Sequence, residues 1–94
     1  MPDNATTNPL SEFMGQVVIL DTQGPLIYIG TLEATNAGFF TLTNADVHDT
    51  NDSRASKDLY LVETRDLGVQ VNRRKVFVTR RQVSSISLLA DVSD

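Results

Sequence analysis

Apolar residues fall along this chain in short blocks separated by polar breaks carrying Gly, Pro or Asn, a spacing that suits β-strands better than long helices. Residues 16–21 (QVVILD) are an apolar run of strand length, and Asp21-Thr22-Gln23-Gly24-Pro25 reads as the turn that ends it. Residues 26–34 (LIYIGTLEA) are a second predicted strand, and Gly30 inside it predicts a sharp bend or a close backbone approach. After a turn at Thr35-Asn36-Ala37-Gly38, residues 39–47 (FFTLTNADV) form a third. The alternation of side chains along it puts Phe39, Thr41 and Thr43 on one face and Phe40, Leu42 and Asn44 on the other. Three strands joined by short turns predict an antiparallel meander, strongly bent at Gly30.

The flanks add two helices and two strands. Residues 1–8 are polar without periodicity and read as a flexible tail. Asn8-Pro9 is a helix-start signal, Leu10, Phe13 and Met14 share one face of a short helix, and Gly15 is placed to end it. Residues 48–53 (HDTNDS) read as a polar loop. In the next segment Leu59, Leu61 and Glu63 alternate like a strand, whereas Ala55, Leu59 and Val62 keep helical spacing. Asp52 or Ser53 as a cap, the absence of Gly and Pro, and Gly68 at the end favour a helix over 54–67. Residues 69–74 connect it to two β-rich runs, 76–79 (VFVT) and 83–88 (VSSISL), around a polar corner, Arg80-Arg81-Gln82. The corner lacks the Gly or Asn of a two-residue hairpin, so the chain bends or changes partners there. The fold class expected is mainly β: one domain over residues 9–90, tails at 1–8 and 91–94, and five short bent strands wrapped into a small barrel.

Ninety-four residues suffice for a single core with little to spare, and without cysteine neither a disulfide nor a thiolate metal cage can staple it. No apolar run reaches membrane-spanning length, and the first residues lack a signal-peptide pattern, so the expected setting is cytoplasmic with no membrane contact. The net charge of −4 conceals a polarity. Residues 1–53 contain no Lys or Arg against seven acids, and all eight basic residues follow, five of them from Arg73 to Arg81. Two readings stay open: a polyanion site in the basic half, or pairing of opposite charges within the fold or across a subunit contact.

The candidate chemistry is concentrated in Arg80 and Arg81, with Arg73, Arg74 and Lys75 nearby in sequence. Repeated guanidinium groups suit phosphates, and Phe39 or Tyr28 offers a surface on which a base can stack. Asp46, His48, Asp49 and Asp52 match no calcium-loop pattern, so they read as solvated polar residues and no metal or other cofactor is expected. The single His48 and the Ser84-Ser85 pair lack a catalytic setting, so no enzymatic activity is expected. Leu59, Tyr60, Leu61, Val62 and Leu67 in the inserted helix serve either packing or docking of a protein partner.

Two groups of residues resemble the sequence motifs of the Sm-like (LSm) family, in a divergent, bacterial-type form. Gly15-Gln16-Val17-Val18-Ile19-Leu20-Asp21, Gly24, Tyr28-Ile29-Gly30-Thr31-Leu32 and Phe40-Thr41-Leu42-Thr43-Asn44-Ala45 are similar to the first motif, and residues 76–88 to the second. Residues 48–74 then stand as an insertion between the third and fourth strands. The resemblance implies an open five-stranded barrel and a homo-oligomeric ring, commonly of about six or seven subunits, closed by pairing the fourth strand of one copy with the fifth of the next. It assigns Val76, Phe77, Val78, Val83, Ser85, Ile86 and Leu88 to that interface, and it implies binding of single-stranded RNA or a scaffolding role in an RNA-associated complex, with a ring that binds no nucleic acid as the alternative. The family's uridine pocket carries over only in part. Asn36 stands at its Asp position, Phe39 or Phe40 at its Asn position, and Thr79-Arg80 in place of Arg-Gly; the Lys-His pair of bacterial Hfq is absent as well.

Overall fold

The computed structural model describes residues 9–52 and 56–94; the expected N-terminal tail, the Asn8 cap and the start of the inserted helix lie outside them. A 3-10 helix, Pro9–Phe13, leads into β1 (Val17–Thr22), β2 (Leu26–Thr35) and β3 (Phe39–Asp49); helix α1 (Lys57–Leu67) separates these from β4 (Arg73–Thr79) and β5 (Val83–Leu88). The strands form one antiparallel sheet in the order β4-β3-β2-β1-β5. The corner is a single 3-10 turn, Arg80–Gln82, across which the chain leaves one edge of the sheet and joins the other. It does change partners. A hairpin turn would have held β4 against β5 and left no edge for either.

The two faces of the sheet bury different sets of residues. One cluster takes Val18 and Leu20 from β1, Tyr28 and Leu32 from β2, Phe40, Leu42 and Ala45 from β3 and Val78 from β4, with Val83, Ile86 and Leu88 of β5 packed against it. Because strands from opposite edges share this cluster, the sheet curls around it. Leu10 and Phe13 of the N-terminal turn join this cluster, whereas Met14 does not share their burial and is exposed. The second cluster is built on β1 and β2 alone, from Ile19, Ile27 and Ile29 with Leu89, and is covered by Tyr60 and Leu61 of α1 together with Val69 and Val92. Five strands thus curl round an apolar interior without closing, and the insertion is packed on the outside.

The bend lies at Gly30. Asn44 has φ 49°, and the β2–β3 register shifts between Ile29 and Thr31, so Asn44 and Ala45 together lie opposite Gly30. A Cβ at Gly30 would lie 2.9 Å from the Ala45 Cβ and 3.0 Å from its Cα. The bulge also corrects the expected facing of β3. Alternation holds from Phe39 to Thr43, but the extra residue leaves Asn44 exposed and turns Ala45 and Val47 to the inner cluster.

Within the described residues helix α1 begins at Lys57 and ends, as expected, at Leu67. Ser56 caps it, accepting from the Leu59 N–H at 3.2 Å, and Gly68 ends it with φ 97° and an N–H donated to the Thr64 carbonyl at 2.8 Å. β3 runs on to Asp49, so His48 and Asp49 are strand residues, not loop. The residues read as a C-terminal tail are held: Arg65 donates to the Val92 carbonyl at 2.6 Å and pairs with Asp94 at 2.5 Å. Hydrogen bonds donated to Asp66 and Asp94 push the Arg65 pKa above its ordinary value, so it stays charged. Among the described residues no helix is long and apolar enough to cross a membrane.

Candidate functional site

The five clustered basic residues of the sequence do not form one cluster in the fold. β4 begins at Arg73, not after the expected connection, so Arg73, Arg74 and Lys75 lie at one end of that strand and Arg80-Arg81 beyond the other. At about 3.3 Å per residue the two groups are roughly 20 Å apart. Lys75 pairs with Glu33 at 3.2 Å, and Arg73 donates to the Asn72 carbonyl at 2.9 Å.

The Arg80 corner is joined instead to the β2–β3 turn. The Arg80 N–H donates to the Gly38 carbonyl at 3.0 Å, and its guanidinium carbon lies 4.8 Å from the centre of the Phe40 ring. Arg80 Nε is enclosed without a hydrogen-bond partner. Asn36 shapes the turn through its side-chain oxygen, which accepts from the Gly38 N–H at 2.8 Å and the Phe39 N–H at 2.9 Å. Phe39 is exposed and packs edge-on against Phe77, ring centres 6.4 Å apart, with Phe77 itself 64% exposed. The fold therefore brings together Asn36, Phe39, Phe40, Phe77 and Arg80, with Arg81 next in the chain on the side of the β1–β2 turn, and leaves Arg73, Arg74 and Lys75 apart.

Charge pairing accounts for only part of the basic half. Lys57 pairs with Asp21 at 2.7 Å and also donates to the carbonyls of Thr22 and Gly24, at 3.0 and 2.8 Å. Lys57→Met is expected to cost about 1 kcal/mol in urea unfolding, since the pair is partly solvated but the turn loses its donor. Arg65 and Lys75 also have carboxylate partners, whereas Arg73, Arg74, Arg80 and Arg81 form no ion pair among the described residues.

The residues assigned to a subunit contact lie on the two sheet edges. Val78 is buried in its own core opposite Phe40; Val76, Val83, Ile86 and Leu88 are half-buried; Phe77 and Ser85 are exposed. Among the described residues no three or more His, Cys, Asp or Glu side chains come together as a metal site. Asp46 accepts from the Tyr60 hydroxyl and from the Asn72 amide, the latter at 2.9 Å. His48 stacks on Tyr60, with ring centres 3.8 Å apart.

No protein-family model matches this chain, and no curated protein matches it. Solved structures do. The chain is similar to an Sm protein of Pyrococcus abyssii in complex with a uridine heptamer, with 15% identity and a TM-score of 0.58 over 87% of this chain and 99% of that one. The fold is Sm-like. A chain of the NatC complex bound to CoA is similar as well, with 22% identity and a TM-score of 0.56 over 87% of this chain and 86% of that one. So is a chain of the NatC complex bound to Gag peptide and CoA, with 22% identity and a TM-score of 0.54 over 84% and 89% of the two chains. At these identities the likeness establishes the Sm-like fold and no residue's role.

Sequence reasoning did not anticipate Phe77 as the partner of Phe39, the Lys57 clamp, or the bonds of Asp46 to Tyr60 and Asn72. These contacts link residues 14 to 38 positions apart, and no local spacing marks them. The one signal available was the exposed-face position of Phe77 in a predicted edge strand.

Proposed function

We propose that this chain is a non-enzymatic, cytoplasmic Sm-like subunit that joins further copies through the edges of β4 and β5, closes into a ring, and holds single-stranded RNA at the Arg80-Arg81 corner. The observation that carries this reading is the corner itself. Two adjacent guanidinium groups without carboxylate partners among the described residues sit at the turn that links the two unpaired edges of an Sm-like sheet. Exposed β-edges carry unsatisfied N–H and C=O groups, and pairing between copies covers them, with ring closure leaving none over. Repetition of the corner by symmetry turns weak phosphate contacts into a multivalent site, beside exposed aromatic rings on which bases can stack. The likeness to an Sm protein in complex with a uridine heptamer supports the RNA reading.

Gel-shift titration against short single-stranded RNAs at two salt concentrations tests it. Arg80→Ala with Arg81→Ala is expected to weaken binding at least about tenfold and to flatten its salt dependence. Unchanged binding in the double variant, or none by the native chain at low salt, overturns the RNA reading. Sedimentation tests assembly separately, since a stable monomer contradicts the ring.

A second reading, a ring that scaffolds proteins without nucleic acid, is favoured by the Asn36 oxygen being engaged in its own turn and by exposed Leu59 and Leu67 on α1. Raised absorbance at 260 nm in the purified protein counts against it.

A further inference from the structure

The Arg80–Gln82 turn separates two depressions in the surface. Arg80 borders one, of about 250 Å³, beside Phe40 and Ile86. Arg81 borders the other, of about 360 Å³, on the side of the β1–β2 turn. Neighbouring arginines thus face different clefts.

The Arg81 cleft has a distinct chemistry. Pro25, Leu26, Tyr28 and Val83 give it an apolar wall, and Gln23 and Gln82 add amide groups that both donate and accept. Four carbonyls of the adjoining turn are engaged elsewhere. Lys57 takes those of Thr22 and Gly24; Thr50 takes that of Pro25 through its N–H at 3.0 Å and its hydroxyl at 2.8 Å; the Thr22 hydroxyl takes that of Leu26 at 2.7 Å. Asp21, the carboxylate at the foot of the turn, is neutralised by Lys57 at 2.7 Å. A cation without an ion-pair partner among the described residues, beside acceptors already bonded, makes the cleft a site for an anion. The same bonds fix the turn before any ligand arrives, which lowers the ordering cost of binding. The volume lies at the lower end of the roughly 300–1,000 Å³ typical of small-molecule sites, the size of one nucleotide rather than a strand.

We propose that this cleft binds one phosphate-bearing nucleotide unit, its phosphate on Arg81 and its base against Leu26, Tyr28 and Val83. The unit is a free mononucleotide or one residue of an RNA strand; in the second form the inference rests on the RNA-binding reading, and in the first it stands apart from it. Arg80 and Arg81 then serve separate subsites.

Titration of the isotope-labelled full chain, followed by amide resonances, tests this with AMP, inorganic phosphate and a short single-stranded RNA as probes. AMP is expected to move the amides of Gly24, Leu26 and Val83, and inorganic phosphate to need at least about tenfold more to do so, because it leaves the apolar wall unfilled. Arg81→Ala, at an exposed position, is expected to weaken AMP binding about tenfold while Arg80→Ala leaves it unchanged. Equal effects of AMP and phosphate, or equal AMP binding by Arg81→Ala, overturn the inference. RNA binding that leaves Gly24 and Val83 unmoved, with no AMP effect, overturns it and spares the RNA reading. AMP binding without RNA binding overturns the RNA reading and keeps the mononucleotide form.

Discussion

Gly30→Val is expected to lower stability by about 3 kcal/mol, and Gly30→Ala by about 1–3 kcal/mol, both read from urea unfolding midpoints. The cause is the approach of β3 at the bulge. A single methyl group at Gly30 meets the Ala45 Cβ at 2.9 Å, its Cα at 3.0 Å and the Thr43 carbonyl at 3.1 Å. Two of the three are backbone atoms, so relief requires β3 to move as a whole. Valine adds two more methyl groups at the same place. Gly24→Ala supplies the comparison: nothing lies within 4 Å of its Cβ position, and the change there is expected to stay below about 1 kcal/mol. Similar costs at Gly24 and Gly30 would mean that backbone freedom, not contact, is what Gly30 supplies.

The strands were legible because they are short apolar runs whose breaks carry turn residues. Gly30 was legible for the same reason, as a residue without a side chain amid VVILD and LIYI blocks that have no other use for one. Asn44 was not. Its neighbours continue an acceptable strand pattern, and only the pairing of β3 with β2 shows that one residue is supernumerary. The start of β4 was hidden by its charges: Arg73-Arg74-Lys75 reads as a polar connection, yet an edge strand tolerates basic residues that an interior strand does not. That one displacement separates the basic residues into two groups. The corner at Arg80 was legible as a change of partner from what it lacked, a hairpin residue, and the fold class followed from the same strands. The Arg81 cleft was not, since its walls come from residues 22–28 and 81–84 and meet only through the β1–β5 pairing.

Asp46→Ala is expected to cost about 1–3 kcal/mol, because it removes the acceptor of two part-buried hydrogen bonds at once. Asp46 is 3% exposed, and its carboxylate accepts from Tyr60 on α1 and from Asn72 just before β4. The Asn72 side chain is also bonded to Val47, accepting from its N–H at 2.9 Å and donating to its carbonyl at 3.1 Å. Asp46→Asn keeps an acceptor for Tyr60 but sets an amide donor against that of Asn72, and a cost of about 1 kcal/mol is expected at neutral pH. The pH dependence separates the contributions. Burial raises the Asp46 pKa above 3.8, while the charge of His48 and the bond from Asn72 lower it without offsetting burial. The native state then holds the proton more tightly than the unfolded chain. The resulting stabilisation is full below the unfolded pKa and is lost as pH rises through the native one. Stability of the native chain relative to Asp46→Asn is therefore expected to decline as pH rises from below 4 towards neutral, measured by urea unfolding at each pH. A difference that grows with pH would show that the carboxylate is held as a stabilised anion. The consequence extends beyond stability. Asp46 ties α1 to β3, and α1 carries the Lys57 that fixes the β1–β2 turn. Asp46→Ala should thus weaken AMP binding in the Arg81 cleft without touching a residue of its lining.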